Sequence, residues 1–187
     1  WYEDTGIHWV MPSPNMPTVN TAAVYPGMCL LEGTNLSEGR GTTRPFELFG
    51  APYLDGYAYA NALNAEEIPG ALFRPIWFRP TFQKHGGMLC GGAQLHVTNR
   101  EVFSSFHAGI ASIVCAKKLA PEGFDWRKDA YEFVDEVPAI DLLFGEADAR
   151  EAIENGATVK EVLHALNVGR KEWDEKRLSY LIYGDES

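Results

Sequence analysis

The amino-acid sequence predicts an α/β protein in which the end of an α/β domain is joined to a smaller α+β domain. Within residues 6–32 an apolar run, a capped helix and a second apolar run follow one another, which is the order of a βαβ unit. After Gly50 the chain changes to alternating and amphipathic segments. Its 187 residues are 45% hydrophobic, which is enough for one substantial core. We therefore expect one domain over residues 1–50 and a second over residues 51–187.

The predicted βαβ unit begins with a strand at Gly6–Met11, which three prolines stop. Thr18 is a suitable N-cap for a helix over Thr18–Tyr25, and Pro26-Gly27 is expected to end this helix. The apolar segment Met28–Glu32 is predicted to be the second strand. A right-handed crossover between the two strands would make them parallel.

Two polar loops follow these predicted strands, PSPN at residues 12–15 and EGTNLSEGRG at residues 32–41. In open parallel sheets, ligands bind beyond the carboxyl ends of the strands. We therefore expect the two loops to lie side by side at a ligand site.

The second part of the chain contains a predicted helix over Asp55–Leu63 and an extended segment, Ala71–Phe82, with two Arg-Pro pairs. Residues Leu89–Thr98 alternate in polarity as a half-buried strand does. The apolar face of that strand would carry Ala93, Leu95 and Val97, and its polar face Gln94, His96 and Thr98.

Capping-box patterns mark the starts of two helical regions, one at Thr98 with Glu101 and one at Thr158 with Glu161. Two short helices are expected between them. The helices predicted in this part cover residues 102–119, residues 138–145, residues 146–156 and the region from Thr158 to about Tyr183.

Composition excludes several classes of partner. A formal net charge of −10 with scattered arginines argues against binding a nucleic-acid backbone, which needs a clustered basic face. No apolar run approaches the roughly 20 residues that span a bilayer. The chain begins at Trp1 without an initiator methionine or a signal-peptide pattern, so we expect it to be part of a longer protein.

Neither a cofactor nor a metal ion is predicted. The glycines of the loop Leu30–Gly50 fit neither the phosphate-binding loop nor the dinucleotide fingerprint. His85, Cys90 and His96 have no recognised zinc spacing. The cysteines lack disulfide-scaffold density and CxxC spacing, and we expect them to be small buried thiols. They are Cys29, Cys90 and Cys115.

Glu32 and Glu38, in the same glycine-containing loop, are candidates for glycoside hydrolysis. That reaction uses two carboxyl groups roughly 5 to 10 Å apart, one to protonate the leaving oxygen and one to attack or to activate water. Neutral side chains nearby could bond sugar hydroxyls. These are Thr34, Asn35 and Thr43. In the alternative, which the residues alone favour, both glutamates bond loop amides or pair with Arg40 and Arg44.

Long ordered strings of this sequence are similar to one known family. The strings are PSPNMPT (12–18), YPG (25–27), EGTNLSEGRGTTRPFE (32–47), GAP (50–52), RPIWFRPTFQKH (74–85) and CGGAQLHVT (90–98). They resemble the exo-acting β-N-acetylmuramidases of the NamZ type. The likeness covers nearly the whole chain and corresponds to the C-terminal half of such a protein.

This resemblance implies a bacterial, extracytoplasmic glycoside hydrolase that removes N-acetylmuramic acid from the non-reducing ends of peptidoglycan fragments. Residues 1–50 would then end a Rossmann-like domain, with an auxiliary domain after it and the active site in the cleft between the two. Glu32 and Glu38 become the expected catalytic residues, with a further catalytic carboxylate in the N-terminal half of the protein. The expected substrate-binding residues are Asn15, Thr34, Asn35, Arg40, Thr43, Arg44, Gln94 and His96.

Muramic acid carries a lactyl carboxylate, so its recognition calls for a cation. Arg40 is the first candidate for that cation and Arg44 the second. The implied partners are glycans that end in N-acetylmuramic acid and the N-terminal half of the same protein. The competing hypothesis is a non-catalytic module that binds peptidoglycan or another carbohydrate through the same residues.

Overall fold

The computed structural model of the chain describes residues 1–182, which form a mixed α/β fold with a small three-stranded sheet. The strands are β1 (Leu48–Ala51), β2 (Ala71–Phe78) and β3 (Cys90–Val97). The α-helices are α1 (Val19–Met28), α2 (Gly56–Asn64), α3 (Ser105–Leu119), α4 (Ala139–Phe144), α5 (Asp148–Glu154), α6 (Val159–Leu166) and α7 (Arg170–Arg177). Short 3₁₀ turns cover Tyr2–Thr5, Cys29–Gly33 and Leu178–Tyr180.

The predicted βαβ unit is wrong. Residues 6–11 form no strand and are exposed except for the half-buried Trp9, with Ile7 and Val10 at 65% and 81% of their full accessibility. The apolar segment predicted as a second strand is instead the end of α1 and the 3₁₀ turn Cys29–Gly33. A short apolar run is buried equally well as a helical turn or as a strand, so its periodicity cannot distinguish them. Here Leu31 is fully buried in the helical form.

Helix α1 confirms the expected N-cap but continues further than predicted. The hydroxyl of Thr18 accepts a hydrogen bond from the backbone N–H of Thr21 at 3.2 Å. Pro26 lies inside the helix instead of ending it. Proline removes one helical hydrogen bond, and burial of the following turn against α3 outweighs that loss.

The sheet is antiparallel with the strand order β1-β3-β2. Strand β3 confirms the predicted alternation, because Ala93 and Leu95 are buried whereas Gln94 and His96 are half-buried. Strand β2 confirms the extended segment. Its Pro75 is tolerated because β2 is an edge strand, where a missing N–H need not break a ladder.

Helix α3 is the central helix of the core and begins later than predicted. The Ser104 hydroxyl accepts from the backbone N–H of His107, so the helix starts at Ser105. The predicted capping box at Thr98 is therefore wrong; the Asn99 side chain accepts the N–H of Glu101 in a turn. Every residue from 108 to 116 is buried, and α3 packs against α1, α2 and α6.

The remaining helical predictions are confirmed within the described residues. Helices α2, α4 and α5 lie where local signals indicated them. Thr158 and Glu161 form the expected reciprocal capping box at the start of α6. The predicted end of the last helical region near Tyr183 lies outside the described residues.

One hydrophobic cluster draws on both parts of the chain, including Leu31 and Phe49 from the first part and Tyr59 and Ile110 from the second. The predicted division after residue 50 falls inside β1, which pairs with β3. The assignment of two domains stays a prediction.

Candidate functional site

The glutamate–arginine cluster, formed by Glu32, Glu38 and Arg40, occupies the loop singled out by the sequence. Arg40 Nη2 donates to Glu32 Oε1 at 2.6 Å, and Arg40 Nε lies 3.0 Å from Glu38 Oε1. Both carboxylates are buried, with side chains only 11% and 4% exposed, whereas the Arg40 side chain is 26% exposed. One guanidinium thus brings two carboxylates together and presents one edge toward the surface.

Lys84 anchors this cluster from a distant loop. Its ammonium donates to the carbonyl oxygens of Leu31 at 2.8 Å and Leu36 at 3.1 Å, and lies 3.1 Å from Glu38 Oε2. The contact with Glu38 is an ion pair and not a well-aligned hydrogen bond. The ammonium of Lys84 therefore makes two hydrogen bonds and one ion pair with neighbouring protein atoms.

Tyr131 completes the shell on the side of Glu32. Its hydroxyl donates to Glu32 Oε2 at 3.0 Å. Each oxygen of Glu32 therefore has a partner, Arg40 on one side and Tyr131 on the other. Sequence reasoning assigned no role to Lys84 or to Tyr131. The one signal for Lys84 was its place inside a string shared with the family, RPIWFRPTFQKH.

The loop takes its shape from backbone contacts. The N–H of Phe46 donates to the carbonyl oxygen of Glu38 at 2.6 Å, which closes the loop behind Arg40. Gly39 has a positive φ of 76°, and a Cβ there would lie 2.1 Å from the Leu48 carbonyl oxygen. Only glycine fits this position, so the glycine is needed for the turn between Glu38 and Arg40.

Burial and charge set the protonation of the groups around the glutamates. Burial lowers the pKa of Arg40, but the hydrogen bond and charge of Glu32 together with the charge of Glu38 outweigh it, so its pKa is raised. Burial lowers the pKa of Lys84, and Glu38 opposes that shift only in part. Burial and the charge of Glu32 raise the pKa of Tyr131, which keeps its hydroxyl a neutral donor at neutral pH.

Arg44 belongs to a second polar group. Its Nη1 lies 3.2 Å from Glu47 Oε2, and the Thr21 hydroxyl donates to Glu47 Oε1 at 2.7 Å. A cavity of about 290 Å³ is lined by Arg44 and by the predicted Gln94 and His96. These three predicted residues thus share one polar cavity, which does not include the glutamate–arginine cluster.

Thr34 and Asn35 lie at a second cavity, of about 410 Å³, that Lys84 also lines. Their side chains already have protein partners. The Thr34 hydroxyl donates to the Leu31 carbonyl oxygen, and the Asn35 amide donates to the Gly123 carbonyl oxygen. Asn35 Oδ1 accepts from the Tyr53 hydroxyl.

Asn15 and Thr43 are not drawn into the cluster by hydrogen bonds between residues 1–182. Asn15 is half-buried and its backbone N–H donates to the Ser13 hydroxyl, while Thr43 is exposed. The predicted site residues therefore divide into the glutamate–arginine cluster, two groups that line two different cavities, and two residues in neither cavity.

Metal and membrane features are absent from residues 1–182. In this part of the chain no three side chains of His, Cys, Asp or Glu are arranged to hold a metal ion. None of the described helices combines the length and the apolar character needed to cross a bilayer.

The fold is one found in proteins of the DUF1343 family. Over 97% of this chain it matches the crystal structure of a DUF1343 family protein from Bacteroides fragilis, with a TM-score of 0.81, 22% identity and 47% of that chain covered. A second DUF1343 family protein of the same organism matches over 94% of this chain, with a TM-score of 0.68, 26% identity and 44% of that chain covered.

A family model described as exo-β-N-acetylmuramidase NamZ, C-terminal, matches residues 23–183. The peptidoglycan β-N-acetylmuramidase NamZ of Bacillus subtilis is 41% identical over 182 residues, which is 97% of this chain and 42% of that protein. The chain therefore belongs to the NamZ family and corresponds to its C-terminal part. It spans less than half the length of this relative.

Proposed function

We propose that this chain is the C-terminal part of an exo-β-N-acetylmuramidase, which releases N-acetylmuramic acid from the non-reducing ends of peptidoglycan fragments. The relative from Bacillus subtilis, named as a peptidoglycan β-N-acetylmuramidase, supports the reaction class. The observation that carries the proposal is the meeting of two carboxylates, Glu32 and Glu38, on the guanidinium of Arg40. Glycoside hydrolysis needs two carboxyl groups within one small site.

In this proposal the two glutamates divide the chemistry between them. Glu38 transfers the proton to or from the glycosidic oxygen, and Glu32 stabilises positive charge on the sugar ring or activates water. Arg40 is a positioning residue, since it fixes the separation of the two carboxylates. Acting on substrate requires Glu38 to release at least one of its two cations, Arg40 or Lys84.

The two cavities are the proposed sites of sugar contact. Thr34 and Asn35 lie at the larger cavity, and Arg44, Gln94 and His96 line the smaller one. Asn15 and Thr43 are also proposed to contact the sugar, although no hydrogen bond within residues 1–182 joins them to the cluster. The rest of the cleft, including a further catalytic carboxylate, is proposed to come from the N-terminal half of the longer protein.

The test uses the full-length protein with a chromogenic β-glycoside of N-acetylmuramic acid. We expect turnover by the wild type, and a loss of kcat of about 100- to 10,000-fold for Glu38→Gln, the range for a lost acid–base group. Asp141→Asn is the matched control, because Asp141 is also a buried carboxylate paired with an arginine, Arg150, but lines neither of the two cavities. Its kcat should stay within about threefold of the wild type.

Two outcomes would contradict the proposal. Binding of N-acetylmuramic acid without turnover by the wild type would favour the non-catalytic carbohydrate-binding module. Equal losses of kcat in Glu38→Gln and in Asp141→Asn, measured at a temperature where both variants are folded, would show that Glu38 only supports the loop.

A further inference from the structure

The two arginines that the sequence offered for the lactyl carboxylate are already paired with glutamates. Arg40 pairs with Glu32 and Glu38, and Arg44 pairs with Glu47. Lys84 is committed as well, since its ammonium contacts two carbonyl oxygens and a carboxylate. Recognition of an anionic sugar by any of these three would require breaking an existing ion pair or hydrogen bond.

The side chain of Arg127, in contrast, has few interactions with the described residues. None of the ion pairs formed within residues 1–182 includes Arg127. Its side chain donates one hydrogen bond, from Nη2 to the Ala130 carbonyl oxygen at 2.8 Å. Its Nε is buried and has no hydrogen-bond partner among the described residues. An unsatisfied buried donor on a charged side chain is costly, and a ligand anion would remove that cost.

The backbone holds Arg127 beside the proposed catalytic loop. The N–H of Arg127 donates to the carbonyl oxygen of Gly33, the residue after Glu32, at 2.9 Å. The N–H of Asn35 donates to the Asp125 carbonyl oxygen at 2.9 Å, so the two segments run antiparallel over a short bridge. This bridge fixes the starting point of the Arg127 side chain on a rigid part of the loop.

The side chain of Arg127 is also oriented by an aromatic ring. Its guanidinium carbon lies 5.3 Å from the centroid of the Tyr131 ring, a cation–π contact. The hydroxyl of the same Tyr131 donates to Glu32. Tyr131 thus contacts both the guanidinium of Arg127 and the proposed catalytic carboxylate of Glu32. This position suits a group that binds a substituent of the same sugar.

The larger cavity, about 410 Å³, provides room for that substituent. Arg127 lines it together with Lys84, Thr34 and Asn35. Arg74 and Arg79 also form no ion pair within the described residues, but neither lines this cavity. Arg127 is thus the guanidinium at this cavity that remains available to a carboxylate.

We propose that Arg127 is the specificity-determining residue that binds the lactyl carboxylate of the terminal N-acetylmuramic acid. The proposal rests on the proposed function and adds to it the residue that separates muramic acid from glucosamine. A planar guanidinium donates two parallel hydrogen bonds to a carboxylate, and a neutral ester in the same place offers neither the charge nor the same geometry.

The experiment compares two chromogenic substrates of the full-length protein, the N-acetylmuramic acid glycoside and its lactyl methyl ester. Arg127→Gln should lower kcat/KM for the acid by about 10- to 100-fold, the contribution of charge-assisted hydrogen bonds, and leave kcat/KM for the ester within about twofold. Arg127→Lys should show a smaller loss of kcat/KM for the acid, because lysine keeps the positive charge but lacks the two parallel donors of the guanidinium. Arg79→Gln is the matched control, because Arg79 also forms no ion pair within the described residues and donates to one backbone carbonyl oxygen, that of Gly87, but does not line this cavity.

Equal losses on the acid and the ester, or an unchanged preference for the acid in Arg127→Gln, would overturn the proposal. If Arg127→Gln does not fold, Arg127→Lys replaces it. The ratio of kcat/KM for the acid to kcat/KM for the ester in that variant then tests the proposal in the same way. A wild type without turnover would reject the hydrolase function, and calorimetric binding of N-acetylmuramic acid and its methyl ester would still report whether selectivity depends on Arg127.

Discussion

Gly27 of α1 and Gly109 of α3 face each other where the two helices cross. A Cβ on Gly109 would lie 2.2 Å from the carbonyl oxygen of Gly27, and a Cβ on Gly27 would lie 1.9 Å from the carbonyl oxygen of Ser105. Both obstacles are backbone atoms, which cannot move aside as the end of a flexible side chain can. This approach of two backbones holds α1, and with it the start of the loop that carries Glu32 and Glu38, against the central helix.

Gly109→Ala is therefore expected to destabilise the chain. Alanine in a helix interior normally stabilises by about 0.5–1 kcal/mol relative to glycine. Here we expect a loss of about 1–3 kcal/mol or more, because the helices must separate. Urea denaturation followed by circular dichroism measures the change. Gly86→Ala is the control, since its Cβ would approach no atom closer than 3.3 Å; equal effects of the two substitutions would contradict the tight crossing.

Lys84→Met should weaken the loop that holds Glu32 and Glu38. The substitution leaves the carbonyl oxygen of Leu36 without its donor, removes one of the donors to the carbonyl oxygen of Leu31, and removes one cation from Glu38. We expect the free energy of unfolding to fall by about 2–5 kcal/mol.

Lys128→Met makes the same chemical change at an exposed ion pair and should cost less than about 1 kcal/mol. A double-mutant cycle with Glu38→Gln isolates the coupling between Lys84 and Glu38. Additive losses in that cycle would show that the ion pair contributes nothing to stability.

The stability of the chain should fall above pH 9 in a manner that depends on Cys115. Burial raises the pKa of the Cys115 thiol from 9.0 to about 12. The unfolded chain loses this proton near pH 9 while the folded chain keeps it, so the stabilisation is complete below pH 9 and is lost as the pH rises toward 12. Each pH unit within this window costs about 1.4 kcal/mol.

Cys115→Ala provides the measurement. Between pH 8 and pH 10.5, the unfolding free energy of this variant should fall by about 2 kcal/mol less than that of the wild type. Tyrosines titrate in the same range in both proteins, so only the difference between them is used. Identical pH profiles would mean that the Cys115 thiol titrates normally in the folded chain.

Sequence patterns between near neighbours in the chain correctly predicted those features of the structure that depend on near neighbours. The capping box of Thr158 with Glu161 depends on residues three apart, and the alternation along β3 depends on side chains of one strand. The string with Glu32, Glu38 and Arg40 also pointed to one loop where charges meet, because residues so close in sequence remain close in the fold.

The tertiary structure decided the state of Met28–Glu32 and the pairing of the charged groups. An apolar pentapeptide is buried equally well as a strand or as a helical turn, and packing against α3 and α4 selected the helical form. Lys84 and Tyr131 reach the cluster from segments far along the chain, and Arg127 lines a cavity beside it. No local pattern specifies such contacts.

The sequence by itself thus determined the family, most helices, two of the three strands of the sheet and the loop that holds the two glutamates. Only the tertiary structure decided that Arg40 is shared by Glu32 and Glu38 while Arg127 keeps a donor without a partner among residues 1–182. The physical reason is that capping and alternation act between near neighbours in the chain. Ion pairing in a buried site depends on which distant groups folding brings within a few ångströms of one another.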